Sequence, residues 1–286
     1  MQIPENKQKI LGDIVDDLKQ LDGVVALVLG GSYSTGNANE NSDLDIGIYY
    51  HEKTPFSIEG IKNISKKYQI DDTLTVTDFY VWGTWVNGGA WIHTTSGEVD
   101  LLYKNIDQIK RTIESSKNGI FENDYEQQPP YGFSSVIYLA ETHYCIPLYD
   151  PENIIQKLKN EVKDYPLKLK QTIIQNSLWS AEFTLWQADK FAKKSDLYNT
   201  VGCISRALKN IVDALFAINE LYSMGDKNAI KVLEDALKQP EKLVETIEQV
   251  LSVNQNSLKN NVGVLRNLFE QTVSLANGAY RPYFKL

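Results

Sequence analysis

The chain has 286 residues, and its 29 lysine and arginine residues against 37 aspartate and glutamate residues give a formal net charge of −8 at pH 7. This length suits one large domain or two modest domains. The acidic balance argues against a protein whose main partner is a nucleic acid backbone, because such proteins neutralise phosphates with lysine and arginine. A small cationic acceptor is compatible with this charge.

The sequence also limits the cellular setting and the metals that the chain can hold. Its two cysteines, Cys145 and Cys203, lie far apart without a C-x-x-C spacing or a nearby histidine cluster, which argues against zinc and for thiols in a reducing compartment. The N-terminus lacks the basic and apolar regions of a signal peptide, and no stretch approaches the ~18 apolar residues of a membrane span. We therefore expect a cytoplasmic protein without membrane contact.

The first elements of the chain predict a helix, a buried strand and a phosphate-binding turn. Residues 6–21 show helical apolar spacing, and residues 24–29 form an apolar, β-branched run that glycines end. Gly30 and Gly31 allow a sharp turn, and Ser32 suits the N-cap of a short helix. Free N–H groups at the start of such a helix attract anions, so a phosphate would be favoured there.

A second strand follows, with two carboxylates on one face. In the run that starts at Asp43, acidic residues and Gly47 alternate with leucine and isoleucine, which places Asp43 and Asp45 on the same side. At this spacing the two carboxylates lie roughly 6.5–7 Å apart along the strand and can converge on a hard cation such as Mg²⁺. A pair of metal ions usually takes a third carboxylate.

A third acidic position comes after a predicted helix over residues 58–68, within a β-rich segment over residues 73–103. Glu98 and Asp100 alternate there with apolar residues, as in a strand. If that strand lies beside the first acidic strand, Asp100 could reach the same metals or take the proton of an attacking hydroxyl as a general base. Glu98 is the alternative third carboxylate.

The same β-rich segment carries Trp82, Trp85 and Trp91 among glycines. These indoles either stack on a ring of the substrate or pack against the edge of the sheet core. After two further helical patterns, the segment from Pro147 to Pro151 is interpreted as a domain boundary, because proline interrupts both a helix and a strand ladder.

After this boundary the pattern is helical to the end of the chain. Helical spacing recurs over residues 152–162, 167–193, 196–224, 229–238, 241–251 and 257–276. The short connections predict an antiparallel bundle. We therefore predict two domains: residues 1–150 form an α+β domain with a mixed sheet flanked by helices, and residues 151–286 form an all-α helical bundle.

The segment from Leu27 to Gly36, the Ser42-Asp43-Leu44-Asp45 stretch and the later acidic strand resemble the signature of the polymerase β-like nucleotidyltransferase superfamily. This superfamily includes antibiotic nucleotidyltransferases such as the kanamycin and streptomycin enzymes. The stretches from Trp82 to Trp91 and from Glu98 to Tyr103 are similar to a bacterial subgroup of uncharacterised nucleotidyltransferases with an attached helical domain. The resemblance implies that residues 1–150 form the nucleotidyltransferase catalytic domain.

The resemblance also implies a role for each part of the motif. The implied nucleotide-binding residues are Gly31, Ser32 and Ser42, and the implied metal-binding and catalytic residues are Asp43, Asp45 and Asp100. Two cations of the predicted bundle, Arg206 and Lys227, are candidates for contact with the triphosphate, since the leaving pyrophosphate needs charge neutralisation. A solvated surface position is the alternative for each.

We therefore predict an enzyme that uses one or two Mg²⁺ ions to move a nucleoside monophosphate from an NTP, with ATP as the expected donor, to a hydroxyl of an antibiotic-like small molecule, releasing pyrophosphate. Two alternatives stay open: AMP transfer to a protein side chain, and a nucleotide sensor without catalysis. A dinucleotide-binding turn and a Walker loop do not fit, because the glycine offsets differ and no Gly-Lys-Ser/Thr follows. We expect a monomer or a homodimer without a nucleic acid partner.

Overall fold

The structure is a computed structural model that describes residues 3–284 of the chain. The chain folds into two compact units, residues 3–114 with 122–164 and residues 115–121 with 165–284. None of the helices in the described range combines the length and the apolar character that a membrane crossing requires.

The first unit combines a mixed sheet with helices. The strands of this part of the chain are β1 (Ala26–Leu29), β2 (Leu44–Tyr50), β3 (Thr75–Val76), β4 (Gly89–Thr94), β5 (Gly97–Asn105), β6 (Asn123–Asp124), β7 (Phe133–Ser134) and β8 (Ile146–Tyr149). The helices are α1 (Glu5–Leu18), α2 (Gly31–Ser34), α3 (Ile58–Tyr68), α4 (Ile106–Lys117), α5 (Val136–Tyr144) and α6 (Ile154–Glu161).

Within the described residues, six of these strands form one sheet in the order β3-β4-β5-β2-β1-β8. Strands β2 and β5 run parallel, and every other neighbouring pair in this sheet is antiparallel. Strands β6 and β7 form a separate short pair. The sheet is therefore mixed, as predicted, and its two carboxylate-bearing strands are direct neighbours.

Alternation along β2 decides which side chains enter the core. Leu44, Ile46 and Ile48 are each at most 1% exposed and belong to the same apolar cluster as Ile14 of α1. Because successive side chains of a strand point to opposite faces, Asp45 lies on the face away from this cluster. The apolar half of the strand thus fixes the direction of its carboxylate.

Strand β8 (Ile146–Tyr149) overlaps the proline-containing segment. Pro147 does not interrupt the ladder, because it lies in an edge strand and is paired with Val28 of β1. Proline is tolerated in an edge strand, where its missing N–H faces away from the sheet. The sheet therefore continues through residues that the sequence pattern assigned to a boundary.

The second unit is built from helices, as predicted for this part of the chain. They are α7 (Leu167–Lys193), α8 (Leu197–Ile218), α9 (Ala229–Glu234), α10 (Leu243–Leu251) and α11 (Leu258–Leu275). Helices α7 and α8 pack against each other, and α11 packs against both. Helix α8 ends six residues before the predicted Met224, because Glu220 takes a left-handed conformation with φ +57°.

A buried carboxylate holds the C-terminal segment of the second unit. Glu182 of α7 has no exposed surface and accepts hydrogen bonds from the Tyr280 hydroxyl and from the backbone N–H groups of Tyr283 and Phe284. The ring of Phe284 stacks on Trp186, with centroids 5.5 Å apart. Because its hydrogen bonds are made within the fold, this buried charge stabilises the tail rather than a ligand.

Candidate functional site

The glycine turn lies directly after β1, where the sequence placed it. Gly30 occupies the N-cap position of α2, and the helical turn starts at Gly31. Ser32 therefore lies inside the turn, and its predicted role as the N-cap is wrong. The reason is that Gly31 takes φ +57°, a left-handed conformation that glycine adopts without strain, so the chain can turn before it reaches the serine.

Gly31 also makes room for a carboxylate of the neighbouring strand. A Cβ atom on Gly31 would lie 1.8 Å from Oδ2 of Asp45, so a side chain there would displace that carboxylate. The N–H of Gly30 donates a hydrogen bond to the backbone carbonyl of Asp45 at 2.8 Å. The turn and the acidic strand are therefore fixed against each other, with the carboxylate at the start of α2.

A row of residues crosses the sheet beside this turn. Asp45 of β2 is paired with Asp100 of β5, and Trp91 of β4 is paired with Asp100 from the other side. Neighbouring strands are about 4.8 Å apart and paired residues point to the same face, so the two carboxylates lie side by side. Asp43 comes two residues before Asp45, immediately outside β2. We call Asp43, Asp45 and Asp100 the acidic row.

The pKa of Asp100 is raised by burial and by its position among the other carboxylates of the acidic row. Burial raises the pKa of the Asp100 carboxyl to about 6, and the negative charges of Asp45 and Asp43 add to the rise. Glu98 acts in the same direction, whereas hydrogen bonding from Trp91 opposes it. A carboxyl whose proton affinity is raised by burial and by specific neighbours is typical of functional sites.

Glu98 lies on the same strand as Asp100 but has other partners. Its Oε1 atom is 3.0 Å from Nε2 of His93, and Nδ1 of that histidine is 3.0 Å from Oδ2 of Asp71. The hydrogen bond that His93 donates to the Asp71 carboxylate raises the pKa of His93, with smaller contributions from the negative charges of Asp71 and Glu98. Asp100 is in register with Asp45, whereas the Glu98 carboxylate contacts the imidazole of His93.

Ser42 lies before β2, in a loop that a buried lysine supports. The carbonyl of Ser42 accepts a hydrogen bond from Nζ of Lys7 at 2.6 Å, and Lys7 is only 6% exposed. Sequence reasoning missed Lys7, although its spacing from Ile10 and Ile14 places it on the apolar face of α1. Its ammonium group therefore helps to fix the loop that leads to Asp43.

The tryptophans of the β-rich segment have different surroundings. Trp85 stacks on Phe133 with ring centroids 5.6 Å apart, which is a packing role. Trp91 is paired with Asp100 and contacts Trp82, with centroids 4.6 Å apart. Trp82 is 43% exposed. The two sequence interpretations thus apply to different residues: Trp85 packs, and Trp82 with Trp91 forms an aromatic surface beside the acidic row.

The two cations predicted to contact the triphosphate lie in the second unit. Arg206 is exposed on α8, and Lys227 is exposed in the turn between α8 and α9. They belong to different elements, so no single helix face presents both. Their contact with the triphosphate stays a prediction.

The acidic row supplies donor atoms that suit Mg²⁺. This ion is commonly held by one or two carboxylates, while water and substrate phosphates fill its other positions. Among residues 3–284, no group of three acidic, histidine or cysteine side chains is placed to hold a metal ion by itself. The carboxylates of Asp45 and Asp100, which are paired across β2 and β5, fit an ion that also binds a phosphate, and the negative charge around Asp100 favours a cation there.

Comparison with known families identifies this part of the chain. Residues 11–86 match the family model of the nucleotidyltransferase domain. This part of the chain is a nucleotidyltransferase domain. This segment belongs to the polymerase β-like superfamily of nucleotidyltransferases, enzymes that generally use an NTP and divalent metal ions. The matched segment contains the glycine turn together with Asp43 and Asp45, and it ends before Asp100.

The chain also resembles a solved structure, a nucleotidyltransferase-like protein from Exiguobacterium sibiricum 255-15. The sequence identity is 8%, the comparison covers 95% of this chain and 76% of that chain, and the TM-score is 0.44. None of the curated proteins compared with the chain matches its sequence.

Proposed function

We propose that this nucleotidyltransferase moves a nucleoside monophosphate from an NTP, with ATP as the expected donor, to a hydroxyl of a small-molecule acceptor. The observation that carries the proposal is the pairing of Asp45 with Asp100 across β2 and β5, directly beside the glycine turn. This geometry gathers carboxylates next to a backbone that lacks a side chain at Gly31. A cation held by these carboxylates can therefore take oxygen atoms of a phosphate as its further ligands.

On the donor side, the turn would receive the triphosphate. Gly31 has no side chain, which leaves room for the Asp45 carboxylate beside the turn, and the hydroxyl of Ser32 offers a hydrogen-bond donor to a phosphate. Asp43 and Asp45 would hold one or two Mg²⁺ ions, which when bound neutralise phosphate charge and polarise the α-phosphate. The loop that Lys7 supports would keep Asp43 in place for this task.

On the acceptor side, Asp100 would share a metal ion, accept the proton of the attacking hydroxyl, or do both. The acceptor oxygen forms a bond to the α-phosphorus while the bond from that phosphorus to the bridging oxygen breaks. Pyrophosphate leaves with the electron pair of the broken bond, and the hydroxyl proton passes to the carboxylate. Positioning and charge stabilisation supply most of the catalysis in such transfers.

The surroundings of Asp100 support an acceptor that carries a ring. Trp82 and Trp91 present aromatic faces beside this carboxylate, and Trp82 is partly exposed. Aromatic side chains pack well against the flat face of a ring, so a hydroxylated, antibiotic-like ring compound suits the position next to Asp100.

The proposal is tested by incubating the protein with Mg²⁺ and α-phosphate-labelled ATP, GTP, CTP or UTP, together with separate pools of aminoglycosides, lincosamides and candidate proteins. We expect label to appear in a small-molecule pool and to disappear in the Asp43→Ala and Asp45→Ala variants. An Asp13→Ala variant is the matched control, because Asp13 is an exposed acid of α1 outside the acidic row.

Three results would contradict the proposal. Label on a protein would indicate transfer to a side chain, and label in no pool from any nucleotide would indicate a sensor without catalysis. Unchanged transfer in both the Asp43→Ala and Asp45→Ala variants would show that the acidic row does not carry the reaction.

A further inference from the structure

A groove between α7 and the first turns of α8 lies within the second unit and has no part in the function proposed above. Its volume is about 940 Å³, and pockets for small organic ligands measure roughly 300–1,000 Å³. We call it the α7–α8 groove, and the residues that line it include Phe183, Gln187, Phe191, Tyr198, Gly202 and Arg206.

The walls of the α7–α8 groove are mainly aromatic and apolar. Phe183 and Phe191 come from α7, and Tyr198, which is 87% exposed, comes from α8. Leu197 and Val201 of α8 are also large apolar side chains exposed at the groove. Contiguous exposed apolar side chains mark binding surfaces, and aromatic rings offer flat faces to a planar ligand.

Two polar side chains of the groove are without a partner among residues 3–284. Neither the guanidinium of Arg206 nor the side-chain amide of Gln187 makes a hydrogen bond or an ion pair with another described residue. Burial raises the pKa of Cys203, which also lines the groove, and the positive charge of Arg206 opposes this rise. The charge of Arg206 is therefore close to the wall of the groove. A planar guanidinium can bind both oxygens of a carboxylate at once.

Gly202 keeps one side of the groove open. It lies in the interior of α8, where glycine destabilises a helix relative to alanine. A Cβ atom at this position would meet no other atom within 4 Å, so packing does not require a glycine. A larger side chain at position 202 would therefore narrow the groove without disturbing the fold.

We propose that the α7–α8 groove binds a small planar aromatic carboxylate. The ring lies among Phe183, Phe191 and Tyr198, and the carboxylate is bound by Arg206, with Gln187 as a further polar partner. This gives Arg206 a role separate from contact with a triphosphate. The proposal does not depend on nucleotidyl transfer, so either can fail without the other.

The probe is 1-naphthoate, titrated into the full chain by isothermal calorimetry, with neutral 1-naphthalenemethanol as its uncharged analogue. We expect 1-naphthoate to bind with a Kd in the range of about 10 μM to 1 mM. Arg206→Gln should weaken naphthoate about tenfold or more and leave the neutral analogue unchanged. Gly202→Met should weaken both. Two matched controls, Arg281→Gln at an exposed arginine and Gly12→Met at an exposed helical glycine, should change neither.

Several results would overturn the proposal. One is that the unmodified protein does not bind naphthoate, and another is that the Arg206→Gln variant binds it equally well. Displacement of naphthoate by MgATP would also overturn the proposal and would instead support contact of Arg206 with the triphosphate. A dimer that Gly202→Met converts to a monomer in sedimentation experiments would make a second copy of the chain the occupant. Thermal unfolding of each variant checks that the fold is kept, and we expect Gly202→Met to unfold no earlier than the unmodified protein.

Discussion

The acidic row of the first unit and Glu182 of the second unit place carboxylates in opposite surroundings. In the row, Asp45 and Asp100 are paired across two strands, and burial together with like charges raises the pKa of Asp100. Glu182 is fully buried, but a hydroxyl and two backbone N–H groups donate to it. Crowded like charges destabilise a fold, whereas a buried charge with its hydrogen bonds made stabilises the segment that surrounds it. Crowded carboxylates therefore indicate a functional site, and a buried carboxylate whose hydrogen bonds are all made indicates a structural one.

The largest effect is expected when Asp100 is replaced by asparagine. We expect the rate of nucleotidyl transfer to fall on the order of 10²–10³-fold, because a metal ligand and a proton acceptor for the attacking hydroxyl are lost. Thermal stability should stay the same or increase, because repulsion within the acidic row is relieved. Labelled-nucleotide transfer and thermal unfolding measure the two effects.

Glu98→Gln is the matched control for this variant, since Glu98 lies on the same strand and is paired with His93. We expect it to keep transfer within about threefold of the unmodified rate, the scale of an exposed ion pair. A larger loss in Glu98→Gln than in Asp100→Asn would make Glu98 the third carboxylate.

The next largest effect concerns the glycine that faces the acidic row. Gly31→Ala should lower transfer about 30- to 100-fold, because the new Cβ atom would displace the carboxylate of Asp45 and misplace a reacting group. Gly36→Ala is the matched control, since Gly36 also has a positive φ, of +77°, but no atom lies within 4 Å of the added Cβ.

Both alanine variants should lose about 1–2 kcal/mol of unfolding free energy from the left-handed backbone. Only Gly31→Ala should lose activity as well. Urea unfolding and initial transfer rates separate these effects, and a Gly36→Ala variant as inactive as Gly31→Ala would contradict a specific role for Gly31.

In the second unit, Glu182→Ala should lower the free energy of unfolding by about 2–3 kcal/mol, because buried donors of the C-terminal segment lose their acceptor. Hydrogen exchange should increase at Tyr283 and Phe284, whose N–H groups donate to Glu182. Glu270→Ala on the exposed side of α11 is the control and should leave both quantities nearly unchanged. Full stability in the Glu182→Ala variant would show that the tail is held by other contacts.

The smallest effect distinguishes a tryptophan of the candidate site from one that only packs. Trp91→Phe should lower kcat about 3–10-fold, because the hydrogen bond that the indole donates to the Asp100 carboxylate is lost. Trp85→Phe should reduce stability and leave kcat unchanged, since Trp85 packs on Phe133. Steady-state kinetics with both variants test this, and equal kcat values for the two would remove Trp91 from the site.

Much of this arrangement could be predicted from sequence, because alternation and turn chemistry are local. The alternation along β2 predicted that the side chains of Asp45 and Ile46 lie on opposite faces of the strand, and the glycines predicted the turn. That Asp45 and Asp100 lie side by side could not be predicted, because the sequence of a strand does not show which strand lies next to it in the sheet. The structure supplies this placement through the parallel pairing of β2 and β5.

Other features depended on contacts between residues distant in sequence. Pro147 looked like a ladder breaker because its edge position was not visible. The partners of Glu182 lie about a hundred residues away, at the end of the chain. Lys7 could have been found, since a lysine on the apolar face of α1 must have buried acceptors, which are loop carbonyls before Asp43.

The central claim is that the acidic row holds a metal ion together with a nucleotide phosphate. Its most direct test is electron paramagnetic resonance of Mn²⁺, titrated into the protein with and without α,β-methylene ATP, which cannot transfer its nucleotide. We expect Mn²⁺ to bind most tightly when the analogue is present, and we expect the Asp43→Ala, Asp45→Ala double variant to weaken this binding about 100-fold or more. Mn²⁺ binding that is unchanged in the double variant would contradict this claim.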